Sequence, residues 1–178
     1  MPHHLLQVAR TLNRHGQRLT QPDRQQAYLR RAVSTAYYAV FHLLSREAAS
    51  LLSTTHTVHF SRGFDHGTMK DCCERFYPGN TAPAAAGAGT TLNVQVKNLG
   101  ALAVPWEVSV VAWNFVQLQG SRHAADYNYT QPVTAGQAAT ALSRAEQAFL
   151  LWGQVANEPV ASVFLGVLTT WPTLKKRS

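Results

Sequence analysis

A predominantly α-helical fold is what the sequence predicts, and three stretches predict it. The first is residues 24–52, RQQAYLRRAVSTAYYAVFHLLSREAASLL. At 100° per residue, Val33, Tyr37, Val40, Phe41, Leu44, Ala48 and Leu51 fall on one broad apolar face. Arg31, Thr35, Tyr38, His42 and Arg46 fall on a narrower polar stripe away from the centre of that face. The period of two that a strand needs is absent. The second stretch, 135–155, sets Ala138, Leu142, Ala145, Phe149 and Trp152 inward. Thr134 serves as its N-cap and Asn157-Glu158-Pro159 as its breaker. The third, 3–15, groups Leu5, Leu6, Ala9 and Leu12 on one side, with Gly16 expected as a C-terminal stop.

The remaining elements follow in order. Gln17–Pro22 reads as a connection, with Thr20 as N-cap and Pro22 and Asp23 in the first turn of the long helix. Ser53–Gly63 reads as a polar loop. Thr68–Tyr77 suits a short helix ended by Pro78-Gly79-Asn80. Residues 79–91, GNTAPAAAGAGTT, form a small-residue linker with little means of ordering itself, expected to be flexible. In TLNVQVKN, Leu92, Val94 and Val96 alternate with polar residues, a strand signal. Residues 106–119 point two ways. Their β-branched content favours a strand, whereas Pro105 followed by Trp106, Val110, Trp113 and Val116 favours a helix. After the breaker come a short apolar segment and a basic tail over 169–178 that ends LKKRS.

At 178 residues the chain has room for one domain with a proper core. Its charge is basic and uneven, with 16 Lys+Arg against 9 Asp+Glu. Residues 1–46 carry seven arginines against Asp23 alone, a net of +6, and the remainder nets +1. Arginine outnumbers lysine twelve to four. The planar guanidinium fork suits phosphate, so a polyanionic partner is expected, against the blander reading of a basic surface kept for solubility. Cys72 and Cys73 are the only cysteines and are adjacent, which argues against a disulfide framework and for a reducing cytoplasm. Residues 1–20 hold three arginines and no apolar core of a signal peptide. No apolar run reaches membrane-spanning length.

His56, His59, Asp65, His66, Cys72 and Cys73 lie close in sequence, but without a C-x-x-C or H-E-x-x-H frame. A glycine-rich phosphate loop and a G-x-S-x-G elbow are also missing. No metal and no cofactor are therefore expected.

Two segments carry a resemblance. RRAVSTAYYAVFHLL, followed later by FVQLQGSRHAADYNYTQPVTAGQAATALSRAEQAFL, resembles the HEPN domains. The likeness is closest to their small stand-alone prokaryotic branch, with its A-Y-Y-A-x-F-H helix and R-x-x-A-D-Y motif. It covers roughly residues 20–55 and 106–155. It implies an all-α, up-and-down helical bundle, usually a homodimer, and with it a helix over 106–119. The strand-like segment near 92–97 then reads as an insertion.

Members of that family that cut RNA pair an Arg with a His four to six residues on, often followed by x-Tyr, and need no metal. The imidazole exchanges the ribose proton and the guanidinium holds the phosphate. By this resemblance Arg122 matches the Arg, Tyr127 stands where the His belongs, and Tyr129 matches the final Tyr. A free phenol ionises near ~10 and is a poor base at neutral pH, which argues for weakened or absent cleavage. His123, one turn before Tyr127, and His42 on the long helix are the stand-ins for the missing imidazole. Thr35 replaces an Arg often found before A-Y-Y, and Arg31 lies one turn earlier. The spacing from Arg10 to His15 also fits the nuclease pattern, but in the wrong helix and at a frequency chance supplies.

The expectation is thus a HEPN-like RNA-associated protein of toxin–antitoxin or defence type. Its catalytic candidates are Arg122, His42 and His123. Its phosphate- and RNA-binding candidates are Arg31, Arg46, Arg122, Asp126, Tyr127 and Tyr129. Asp126 would orient an arginine, and Tyr127 and Tyr129 would stack on bases or accept modification by a nucleotidyltransferase antitoxin. A second reading makes the chain a non-enzymatic dimeric module, with Arg122 and Asp126 as a structural ion pair and Tyr127 as a buried cap. A third makes it an active ribonuclease using His42 or His123.

Overall fold

A computed structural model of the chain describes residues 1–79, 83, 90–96 and 99–176. Its elements are α1 (Pro2–Arg18), α2 (Pro22–Leu52), α3 (Thr57–Ser61), α4 (His66–Cys73), β1 (Thr91–Val96), β2 (Gly100–Pro105), α5 (Trp106–Tyr127), α6 (Ala135–Val155) and α7 (Pro159–Lys176). The protein is mostly helical, and α2 is its axis: α1, α3, α5, α6 and α7 all pack against it.

The apolar face expected for α2 is buried from Val33 through Ala48, with Tyr37, Val40 and Leu44 fully enclosed. Burial is wider than one face, because five helices surround α2. Ser34 and Thr35 are buried too, so Thr35 does not belong to the solvated stripe; Tyr38 and His42 are half-buried, and Arg31 and Arg46 are exposed. Leu51, expected inward, is 49% exposed.

Gly16 does not stop α1, which continues to Arg18. Its role is close approach. A Cβ at Gly16 would meet Leu29 Cδ2 at 3.0 Å and Tyr28 Cβ at 3.1 Å, so the missing side chain lets α1 lie against α2. Gly16→Val is expected to lower stability by about 1–3 kcal/mol, from overpacking at this contact. Thermal melts check this, and an unchanged melting temperature would mean that α1 does not approach α2 there. The N-cap of α2 is Gln21, without a side-chain cap, not Thr20; Pro22 occupies the first turn as expected.

The 53–63 segment is not all loop, since α3 forms within it. The short helix begins earlier than expected, at His66, because the Asp65 carboxylate accepts from the Thr68 N–H at 2.8 Å and caps it. That helix ends at Cys73, before the Pro78-Gly79 pair. The small-residue linker lies mostly outside the described residues.

The alternating segment is strand β1, paired antiparallel with β2 from Thr91↔Pro105 to Val96↔Gly100. Val94, Val96 and Val104 turn into the core, and Gly100 takes φ +77° at the entry to β2. The chain then passes directly from Pro105 into α5, so residues 106–119 are helical. Val108, Val111, Phe115 and Leu118 are fully buried at helical spacing.

Thr134 caps α6 as read from sequence, in a reciprocal capping box with Gln137. The basic tail is corrected: through Lys176 it is the last two turns of α7, which hold Pro172, and Phe164, Leu168 and Trp171 keep that helix in the core. No helix among the described residues is long and apolar enough to cross a membrane.

Candidate functional site

The site forms where the C-terminal end of α5 meets the N-terminal half of α2, and two side chains of α2 fix that meeting. Arg30 donates to the carbonyls of Ala125 (2.7 Å), Asn128 (3.0 Å) and Gln131 (2.6 Å). A helix end leaves its last carbonyls without partners and carries partial negative charge, so one guanidinium answers both needs. Gln26 exchanges two hydrogen bonds with Val133, donating to its carbonyl at 2.9 Å and accepting from its N–H at 2.8 Å. The turn after α5 is thereby tied to α2.

This anchoring brings Arg122 over the polar stripe of α2. Its Nη2 donates to the Tyr38 hydroxyl at 3.1 Å and, more weakly, to the Tyr127 hydroxyl at 3.4 Å. Its Nε lies 2.7 Å from Asp126 Oδ2, as an ion pair rather than an aligned hydrogen bond. The guanidinium carbon sits 5.6 Å from the Tyr38 ring centre and 5.3 Å from that of Tyr127, close enough for cation–π attraction. Ser34 donates to the same Asp126 oxygen at 3.2 Å. Burial opposes the charge on Arg122, but Tyr38, Asp126 and Tyr127 outweigh it and hold the group more firmly protonated than usual.

Beside this cluster opens a cavity of about 420 Å³, lined in part by Arg30, Arg31, Tyr38, Arg122, Asp126 and Tyr129. Tyr129, 79% exposed, lies over the Arg30 guanidinium at 5.4 Å. Three arginines against one carboxylate make the opening basic, and Asp126 is already committed to Arg122.

An imidazole distant from Arg122 in the chain also reaches this region. His66, at the start of α4, packs on Phe41 (4.2 Å between ring centres) and meets the Tyr38 ring edge-on at 5.7 Å. Its Nδ1 shares a 2.6 Å hydrogen bond with the Tyr37 hydroxyl. Tyr37 is buried and its phenol is pushed well above the usual range, chiefly by desolvation. His42 stacks beside Tyr38 at 6.3 Å. Both histidines titrate below the ordinary imidazole range. Burial is the main cause for each, reinforced by His66 and Arg46 around His42, and by Arg122 near His66 against an opposing Asp65.

A depressed imidazole pKa means that protonation favours the unfolded chain. The stability tied to neutral His42 and His66 is therefore complete above about 6.5 and declines as pH falls through their folded values. The melting temperature should drop between pH 7 and pH 5, and drop less in His66→Gln. A flat profile over that interval would contradict the enclosure of both rings. Asp65, held low mainly by the Thr68 N–H, acts in a separate window below about 4.

Of the residues expected from sequence, Arg31, Arg122, Asp126 and Tyr129 line the cavity, and Tyr127 joins through Arg122. His123 does not line it: exposed, it packs at a tilt against Tyr127 with ring centres 5.0 Å apart. His42 and Arg46 lie farther along α2. Tyr127 is 60% exposed, so it is not a buried cap. Arg10 is paired with Glu146, far from Arg122 in the chain. Arg30 and Ser34 are working residues that the sequence pattern does not single out, and Tyr38, read on the polar stripe, gains its role only through Arg122. In the sequence His66 belongs only to the His/Asp/Cys group, and among the described residues no three His, Cys, Asp or Glu side chains gather into a metal site. No family model, curated protein or solved structure matches the chain.

Proposed function

We propose that this is a HEPN-like RNA-binding protein of toxin–antitoxin or defence type, whose metal-independent ribonuclease activity is weakened or absent. The observation that carries the reading is the setting of Arg122. Its guanidinium is oriented by Asp126, flanked by the Tyr38 and Tyr127 rings, and opens on a basic cavity with Arg31 and Tyr129. Fixed guanidinium groups beside accessible rings suit a phosphodiester backbone with unpaired bases. The weakened chemistry follows from Tyr127, a phenol where the resemblance expects an imidazole. A homodimer, a nucleotidyltransferase partner acting on an exposed tyrosine, and a cytoplasmic setting belong to the same proposal. Two buried free thiols support the last of these.

A second reading, a non-enzymatic dimeric interaction module, is favoured by one observation: Arg122 holds three partners within the fold, Tyr38, Asp126 and Tyr127, as a structural ion pair would. Incubation of the purified protein with cellular RNA and tRNA in EDTA separates the readings. A gel shift at moderate salt without cleavage supports the binder. Cleavage that disappears in Arg122→Ala supports a working ribonuclease. The absence of both supports the interaction module.

A further inference from the structure

The basic character of α2 does not end at the cavity. At 100° per residue Arg24, Tyr28, Arg31 and Tyr38 fall within an arc of about 80°, on the side of α2 that Arg122 covers. Arg24 and Arg31 are exposed, and Tyr28 and Tyr38 are partly so. Beside them α1 contributes His15 and Arg18, both exposed and one turn apart. The His15 ring meets the Tyr28 ring with centres 4.6 Å apart. The ion pairs among the described residues are Arg10–Glu146, Lys70–Glu74, Arg122–Asp126 and Lys175–Asp71. None of them engages Arg18, Arg24 or Arg31. Among the described residues Arg24 donates a 3.3 Å hydrogen bond to the neutral Gln21 side chain.

We infer that this strip, running from His15 and Arg18 along α2 to Arg122, is a track for single-stranded RNA that leads into the cavity. The inference rests on the RNA-binding reading above and adds to it the form of the substrate and its path. From Arg24 to Tyr38 the helix rises about 21 Å at 1.5 Å per residue. At the roughly 3.4 Å per phosphate of one strand of a stacked duplex that length would hold about six phosphates, and an extended single strand places fewer along it. Cations alternate along it with rings, at Tyr28 with His15 and then at Tyr38. Guanidinium groups follow the backbone without reading sequence, and rings stack on bases of any identity. A duplex keeps its bases stacked inside and offers those rings nothing, so the alternation selects a single strand.

Fluorescence anisotropy with labelled oligouridylates of three and nine nucleotides tests the track. The variants are Arg24→Ala, Tyr28→Ala, Tyr28→Phe and the charge-matched control Arg62→Ala, at an exposed arginine that closes α3. The wild type should bind the nine-mer more tightly than the three-mer. Arg24→Ala should weaken the nine-mer about threefold and make its log–log salt dependence shallower by about 0.7, with the three-mer unchanged. Tyr28→Ala should weaken the nine-mer about fivefold or more, with recovery in Tyr28→Phe. Arg24 is exposed, so its variant keeps the test sound even if Tyr28→Ala disturbs the α1–α2 contact. Equal binding of both lengths, or Arg24→Ala matching Arg62→Ala on the nine-mer, would overturn the track while leaving RNA binding at the cavity intact. Equal binding of a duplex of the same length would overturn the single-strand assignment. Binding of neither oligonucleotide by the wild type would overturn both the track and the RNA-binding reading.

Discussion

Arg122→Ala should lower the affinity of the protein for RNA about ten- to a hundredfold while costing only about 1 kcal/mol of stability. The two effects differ because Arg122 stands in two relations. Toward the protein it is one half of a partly exposed ion pair, with side-chain exposures of 18% for Arg122 and 25% for Asp126. Its removal leaves Asp126 with the Ser34 hydroxyl and access to water, so the loss in the fold stays small. Toward a bound strand it is a charged donor whose direction is already set, and a hydrogen bond to a charged group contributes about 1.5–3 kcal/mol, which is the predicted loss in affinity. Arg122→Lys should recover part of the binding. A point charge still meets phosphate but loses the fork and the two ring contacts. The measurement is a titration of labelled RNA at two salt concentrations beside a thermal melt of each variant. Unchanged RNA affinity with a lowered melting temperature would reduce Arg122 and Asp126 to a structural ion pair. The chain would then be better read as an interaction module.

What the sequence disclosed about this site follows from how local each relation is. Arg122, Asp126 and Tyr127 share one helix end within five residues, so their mutual contact could be read from helical spacing. The polar stripe of α2 could be read in the same way. The contacts that unite them could not. Arg30 with the end of α5 spans some 95 to 101 positions, and Arg122 with Tyr38 spans 84. No pattern in either segment announces that the two helices cross at that point. His66 was still less visible. Its only local signal is the Asp65-to-Thr68 cap, which explains why a helix starts there but not that its first residue reaches Tyr37. In the Tyr37-Tyr38 pair, the first ring is fully enclosed and the second is free to face Arg122, which one hundred degrees of helical rotation explains.

The fold was legible where elements have one apolar face and obscure where they do not. The capped helix α6 and the alternating strand β1 read directly. Strand β2, GALAVP, has glycine, alanine and proline at four of six positions, and only its pairing with β1 makes it a strand. The α7 helix is hidden in the sequence because its apolar part is short before the basic end, which reads as a tail, and Pro172 adds a second signal against a helix. Burial of Phe164, Leu168 and Trp171 overrides both signals and carries the helix through Pro172, although that proline removes one i→i−4 hydrogen bond. The first half of α5 is ambiguous for a related reason: from Glu107 to Ala112 every residue is buried, so no polar face marks the helical period.

That ambiguity makes Phe115 the most informative core position. Its ring is fully enclosed, 5.6 Å from the Tyr37 ring where α5 crosses α2. Phe115→Ala should lower stability by about 3–5 kcal/mol, through lost apolar burial and the cavity left behind. Against a total of about 5–15 kcal/mol for a domain, that is a large share. At about 2–4 °C per kcal/mol for this chain length, the melting temperature should fall by on the order of 10 °C. Leu150→Ala, at a position 64% exposed on α6, should stay within about 0.5 kcal/mol of the parent. Denaturant titrations of the two variants give the comparison. A loss at Phe115 no larger than that at Leu150 would mean that α5 does not pack on α2 in this register. The Arg122–Tyr38 contact would fall with it, because Phe115 and Arg122 stand two turns apart on one helix and the same packing aims both.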